Sequence, residues 1–138
     1  MTVPGSELRR ISHGPYQSNE TKELSMNHTQ TPYQSCIQAC LSCATACNQC
    51  HAACLQEDDV KMMARCIALD ADCAAVCSFA AGAMARNSDH AKAICALCAE
   101  ICQACGDECA KHEAEHCKAC AAACHNCAKE CRSMASAH

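Results

Sequence analysis

The chain has 138 residues and a net charge of −4, a length that suits one domain. Slight acidity, few aromatic residues and the absence of Trp give no support for nucleic-acid binding. Val, Ile, Leu and Phe together number only 15, whereas 28 alanines and 19 cysteines supply most of the 51% apolar fraction. A packed core is therefore expected only if reduced thiols line it, because free cysteine packs as a small hydrophobe.

The nineteen cysteines are expected to be reduced rather than paired in disulfides. Their number is odd, and polar residues follow the twin arginine Arg9-Arg10 where an export signal needs an apolar run. Helix neighbours three or four residues apart keep their Cβ atoms about 5–6 Å apart, too far for a relaxed disulfide. No stretch is expected to be long or apolar enough to cross a membrane. We therefore predict a reducing, cytoplasmic setting and no membrane partner.

Residues 1–30 are polar and lack periodicity, so we predict a flexible N-terminal tail, followed by one domain over residues 31–138. Thr31-Pro32 is typical of a helix start, and the first helix should run from Pro32 to about Gln56. Its six cysteines recur at steps of 4, 3, 4, 3 and 4, which places all of them on one helix face: Cys36, Cys40, Cys43, Cys47, Cys50 and Cys54.

The second helix is predicted to run from a cap at Asp58 and Asp59 to about Arg86, and it is poorer in sulfur. Either Leu69 or Asp70 must fill a gap in its core-facing seam. We favour Leu69, because burying a carboxylate without a partner is costly. The cysteines of this helix are Cys66, Cys73 and Cys77.

Asn87-Ser88-Asp89 predicts a helix stop and a new cap, and two further helices should span about Asp89 to Lys111 and about Glu113 to Ser136. The short link between them makes them antiparallel neighbours. We therefore predict an all-α fold, an antiparallel up-down four-helix bundle with a cysteine-lined core. The last two helices carry their cysteines at steps of 3, 4, 3 and 4: Cys95, Cys98, Cys102, Cys105 and Cys109, then Cys117, Cys120, Cys124, Cys127 and Cys131.

A core stripe of thiolates selects soft ions: Cu(I), Zn(II) or iron–sulfur clusters. Cys-x3-Cys on a straight helix occurs eight times, and two such sulfurs with a third from a facing helix suit low-coordinate Cu(I). One Cu(I) per thiolate also leaves a buried core neutral, with a capacity on the order of 15 to 20 ions. Two alternatives stay open, a metallothionein-like zinc or cadmium binder and a redox protein using an Fe–S cluster or dithiol exchange. Nothing in the sequence suggests an enzyme, because no nucleophile–base pair or phosphate loop occurs.

The cysteine stripes and the runs CIALDADCAAVC, AICALCAEICQACGDEC and KHEAEHCKAC resemble the bacterial copper storage proteins, in particular their cytosolic branch. The resemblance covers about Gln34 to Ala135. It implies a four-helix bundle that binds many Cu(I) ions through core thiolates, commonly as a homotetramer. The partners it implies are copper ions and a copper donor or acceptor protein.

His112 and His116 flank the last turn beside cysteines, where they are either plain turn residues or, with Met62 or Met63, a mouth that passes Cu(I) into the core. In the family that the chain resembles, a histidine-bearing end is thought to admit metal. Four other residues near the stripes are expected to have no ligand role, two as core filling and two facing solvent: Met84 and Met134, then His51 and His125.

Overall fold

The computed structural model describes residues 33–137, which fold into four α-helices and one short 3₁₀ turn. The predicted tail over residues 1–30 and the predicted cap at Thr31-Pro32 lie outside this range. No strand occurs between residues 33 and 137, so the all-α prediction is confirmed. The helices are α1 Gln34–Cys54, α2 Ala64–Ala85, α3 Ala91–Cys109 and α4 Glu115–Ser136.

Each helix packs mainly against two neighbours: α1 and α3 each contact both α2 and α4. Sulfur pairs fix the directions, because the start of α1 meets the end of α4 and the end of α1 meets the start of α4. The Sγ atoms of Cys36 and Cys131 are 3.5 Å apart, and those of Cys54 and Cys117 are 3.9 Å apart. This is the predicted antiparallel bundle.

The turn between α2 and α3 confirms the predicted stop. Asn87 has a left-handed backbone with φ of 56°, and its N–H donates to the Met84 carbonyl at 3.0 Å. The Ser88 N–H donates to the Ala83 carbonyl at 2.9 Å, so carbonyls at the end of α2 are satisfied. The Ser88 hydroxyl in turn accepts the His90 N–H at 3.1 Å, just before α3 begins.

A 3₁₀ turn, Val60–Met63, precedes α2 and begins directly after Asp59. The predicted start of this helical segment is therefore in the right place. The predicted side-chain cap is wrong for Asp59, whose carboxylate makes no capping hydrogen bond. Its carbonyl accepts the Met62 N–H at 3.1 Å instead, as the tighter 3₁₀ geometry requires.

One helical stretch of the described chain, Val60–Ala85, is long and apolar enough to cross a membrane by length and composition alone. Its most apolar 18-residue segment has a mean hydropathy of 1.5 and is half buried in the bundle. The expectation that no stretch would be long and apolar enough was wrong, because the alanines and cysteines of this helical stretch raise its mean hydropathy. Core helices of soluble proteins pass the same test, so the finding is weak support for a membrane segment.

Candidate metal centre

Sulfur fills the centre of the bundle from end to end. All nineteen cysteines are free and buried, each with at most 1% of its surface exposed. The alternating steps of three and four residues place about one sulfur per helical turn toward the bundle axis. Small buried alanines beside the cysteines let the helices approach one another closely. Neighbouring Sγ atoms lie 3.2 Å apart for Cys66 and Cys109 and 4.0 Å apart for Cys43 and Cys102, well beyond a disulfide bond length.

The sulfurs form groups that could each hold an ion, with ligand atoms within 4.8 Å of one another. Each of the four all-cysteine groups named below draws on three helices, which explains why one helix alone could not reveal them. Cys43, Cys47, Cys73 and Cys124 each belong to two of the groups named below, so the candidate sites share ligands. Four of the groups are Cys40, Cys98, Cys127 and Cys131; Cys43, Cys73, Cys77 and Cys102; Cys43, Cys47, Cys73 and Cys124; and Cys47, Cys105, Cys120 and Cys124.

The spacing along each helix already matches metal coordination. The Sγ atoms of Cys73 and Cys77 are 3.9 Å apart, and those of Cys98 and Cys102 are 3.7 Å apart. Metal–sulfur bonds of about 2.3 Å place two ligand sulfurs about 3.8–4.0 Å apart at tetrahedral to trigonal angles. Ions can therefore enter the thiol core with little movement of the backbone.

Burial and hydrogen bonding set the protonation of the thiols. Burial raises the pKa of the Cys54 and Cys117 thiols, with the nearby Cys66 sulfur acting in the same direction. Deeper in the core, hydrogen bonding with Cys102 lowers the pKa of Cys43, whereas hydrogen bonding with Cys105 raises the pKa of Cys47. The thiols thus titrate as one coupled network rather than as independent groups.

Asp70, not Leu69, faces the core, so the favoured interpretation of the α2 seam was wrong. Asp70 is fully buried, while Leu69 is only partly buried against the core. The carboxylate is not unpaired, because thiols from its own helix and from α3 and α4 donate to it. Its Oδ1 lies 3.2, 3.3 and 3.6 Å from the sulfurs of Cys105, Cys120 and Cys109, and its Oδ2 lies 3.7 Å from that of Cys66.

The surroundings of Asp70 change its acidity. Loss of solvent raises the pKa of this carboxyl to about 8, although thiol hydrogen bonds act in the opposite direction. The carboxyl can therefore be neutral in the empty bundle, which reduces the cost of burial that argued against it. Its thiol partners Cys66 and Cys109 lie toward the end where α4 begins, and Cys120 lies one turn further in.

At that end, His116 joins three sulfurs. Its Nδ1 lies 3.5 Å from the Cys117 sulfur, 3.6 Å from that of Cys50 and 3.8 Å from that of Cys54. These four residues form another group within ligand distance of one another. The other ring nitrogen, Nε2, lies 2.8 Å from the Glu57 carboxylate, a partner that the sequence spacing did not indicate.

His112 and Met62, also predicted for this mouth, are placed differently. The His112 ring is mostly buried, and its Nε2 lies 3.4 Å from Glu108 Oε1 without a hydrogen bond to any described residue. Met62 has 67% of its surface exposed and lies outside the core, whereas its neighbour Met63 is buried. Of the two histidines, His116 is therefore the one shown within reach of the sulfur groups given above.

Three of the four residues that were expected to have no ligand role are placed as predicted. Met84 is fully buried and Met134 packs against the core, as core filling requires. His125 is exposed, and its Nε2 lies 2.9 Å from the Asp107 carboxylate. His51 was expected to face solvent but is partly buried, because its Nδ1 lies 3.1 Å from the Ile67 carbonyl oxygen on α2.

Comparison with known proteins agrees with this geometry. The profile of the copper storage protein family matches residues 29–136. The chain belongs to the copper storage protein family. The cysteine-rich Bacillus subtilis protein YhjQ is 52% identical over 103 residues, covering 75% of this copper storage protein and 95% of its relative.

Two solved structures extend the comparison. The Cu(I)-bound copper storage protein BsCsp3 is 51% identical, with a TM-score of 0.73, over 75% of this chain and 98% of the other. A cytosolic copper storage protein from Streptomyces lividans, solved with five coppers, is 41% identical, with a TM-score of 0.73, over 75% and 92% of the two chains. Both relatives were therefore solved with copper bound, and the Streptomyces lividans protein holds five copper ions.

Proposed function

We propose that this copper storage protein sequesters Cu(I) in the cytoplasm, binding and releasing the ion without turning over a substrate. One observation carries the proposal: all nineteen thiols are buried and free, and candidate ion groups among them share ligands along the bundle axis. Shared ligands mean bridging thiolates, which allow about one ion per sulfur rather than one per four sulfurs. That ratio is typical of storage rather than of a single catalytic or structural site.

Charge favours Cu(I) over Zn(II) as the cargo. Each buried thiol that releases its proton to solvent and binds a monovalent ion in its place leaves the core neutral, whereas divalent zinc at the same ratio would leave a large uncompensated positive charge. Cysteine thiolates also prefer Cu(I) among available soft ions. A zinc or cadmium binder of metallothionein type would instead fill after only a few equivalents.

We propose as copper ligands every thiol of the core, with the two turn histidines and one methionine at the entrance. The support is burial and convergence for the cysteines, and position at one end of the bundle for the other three. The ligands are Cys36, Cys40, Cys43, Cys47, Cys50, Cys54, Cys66, Cys73, Cys77, Cys95, Cys98, Cys102, Cys105, Cys109, Cys117, Cys120, Cys124, Cys127 and Cys131, with His112, His116 and Met62.

An anaerobic titration of the reduced protein with Cu(I) tests this function. We expect near-UV thiolate-to-copper charge transfer to grow until on the order of 15 to 20 ions are bound. Far-UV circular dichroism should stay nearly constant, because neutral thiols already pack the empty bundle. Saturation after a few equivalents, or helices that form only with metal, would favour a zinc-type site, and a brown chromophore would favour an Fe–S cluster.

The entrance is tested by replacing both histidines. In His112→Gln/His116→Gln we expect Cu(I) loading to slow several-fold, because the first ligands at the mouth are lost. Capacity should fall by no more than about one ion, since the core thiols remain. Stopped-flow charge-transfer absorbance at a fixed Cu(I) supply measures the rate. Loading as fast as in the unmodified protein would contradict an entrance role.

We also propose that the protein assembles as a homotetramer and exchanges copper with a donor or acceptor protein. The support for assembly is the family resemblance, together with apolar side chains that a monomer leaves in solvent, such as Phe79 and Leu97 on neighbouring helices. The cytoplasmic setting is supported by the free thiols and by the cytosolic Streptomyces lividans relative.

A further inference from the structure

The connection between α1 and α2 reaches across the end of the bundle to α4. Glu57, in this connection, places its Oε1 2.8 Å from Nε2 of His116. Both side chains are partly shielded, with 41% of the Glu57 side chain and 24% of the His116 side chain exposed. A carboxylate can only accept a hydrogen bond, so the contact places a proton on Nε2 of the ring.

The proton on Nε2 decides what the other nitrogen can do. A neutral imidazole carries one N–H and one lone pair, so the lone pair then lies on Nδ1. That atom faces the sulfurs of Cys50, Cys54 and Cys117 at 3.5–3.8 Å. A ring turned over, or protonated on Nδ1, would present no lone pair to the sulfurs.

We propose that Glu57 is a positioning residue for copper entry: it fixes the Nε2–H form of His116 and aims the Nδ1 lone pair at the three thiols that receive Cu(I). The copper step rests on the proposed function, whereas the effect of Glu57 on the ring does not. Carboxylates that hold the second nitrogen of a ligating histidine act in this way at metal sites, where their loss costs about 10–100-fold in affinity or activity. Because Glu57 and His116 are partly exposed, we expect an effect near the lower end of this range, about tenfold.

The first test needs no metal. In the reduced, empty protein labelled with ¹⁵N-histidine, two-bond ¹H–¹⁵N spectra at a pH of about 8 report the tautomer of His116. We expect Nε2–H to dominate, and Glu57→Gln to raise the Nδ1–H population about fivefold, because an amide can accept or donate. Glu115→Gln is the matched control, since Glu115 is exposed at the same end of α4 and pairs with Lys118. The His116→Gln variant assigns the signals.

The second test is a double-mutant cycle on Cu(I) loading, with the ion supplied as its acetonitrile complex. We expect Glu57→Gln to slow the first phase of loading by about tenfold and Glu115→Gln to leave it unchanged. In the His116→Gln background, Glu57→Gln should add no further slowing, because the carboxylate acts through the ring. Charge steering by Glu57 alone would instead slow both backgrounds equally.

The outcomes separate this inference from the proposed function. Equal tautomer populations in the unmodified protein and Glu57→Gln would overturn the role of Glu57 whatever the protein stores. Slowing that persists in the His116→Gln background would also overturn it. A low Cu(I) capacity of the unmodified protein would count against copper storage and leave the tautomer result intact.

Discussion

Asp70 places a carboxyl group inside a core built from thiols. Its oxygens accept from sulfurs on α2, α3 and α4, so three helices meet at one polar residue. Removal from solvent raises the pKa of this carboxyl to about 8, against 3.8 for a free aspartate. At a pH between these two pKa values, Asp70 is ionised in the unfolded chain but protonated in the folded chain. The free energy of unfolding therefore falls as the pH rises through this range.

Replacing Asp70 with Asn should flatten this dependence in the empty, reduced protein. We expect the free energy of unfolding of the unmodified protein to fall between pH values of about 4 and 8, by up to about 5 kcal/mol, and Asp70→Asn to lose most of that slope. Chemical denaturation at a series of pH values measures it. The matched control is Asp72→Asn, an exposed carboxylate two residues along the same helix, which should keep the full slope. An unchanged slope in Asp70→Asn would contradict the raised pKa.

The pairing of α3 with α4 depends on a residue without a side chain. A Cβ at Gly106 would lie 2.5 Å from Cδ2 of His125 and 3.2 Å from the Cys124 Cβ. The His125 ring is held by Asp107 through Nε2 at 2.9 Å, so it cannot move away without losing that contact. The missing side chain at Gly106 therefore leaves room for His125 and Cys124 of α4, at a cost in helix propensity.

Gly106→Ala should therefore destabilise the empty bundle by about 1–2 kcal/mol, although alanine gains up to about 1 kcal/mol in helix propensity. Thermal or urea unfolding of the reduced protein measures the change. Gly82→Ala is the control, because its Cβ would meet only the flexible Arg86 guanidinium, 2.9 Å away, and should stabilise by about 0.5–1 kcal/mol. Equal stabilisation by both substitutions would show that α3 and α4 have room to spare.

At the scale of the whole molecule, the cysteine-lined faces of the four helices serve both to pack the core and to bind metal. Protonated thiols bury like small hydrophobes, so we expect the bundle to fold without metal. Each Cu(I) that replaces a thiol proton leaves the core charge unchanged, and the sulfur spacing already suits coordination. Loading therefore changes ligands rather than the fold, which is what a reservoir requires.

The sequence by itself predicted the four helices, their antiparallel order and the burial of every cysteine. It could do so because the 3/4 steps that align Cys36 with Cys40 and Cys43 are local geometry, fixed within one helix. The family resemblance rested on the same steps. The sequence also predicted the end of α2 at Asn87, which has a left-handed backbone.

Only the tertiary structure decided how the gap in α2 is filled and which histidine reaches sulfur. Leu69 and Asp70 lie three and four residues after Cys66, and both positions satisfy the helical repeat, so the choice depends on thiol donors from α3 and α4. His116 meets the sulfurs of Cys50, Cys54 and Cys117 and also contacts Glu57 in the α1–α2 connection, whereas His112 lies beside Glu108. Contacts between residues distant in sequence leave no periodic signal, and these two sites depend on such contacts.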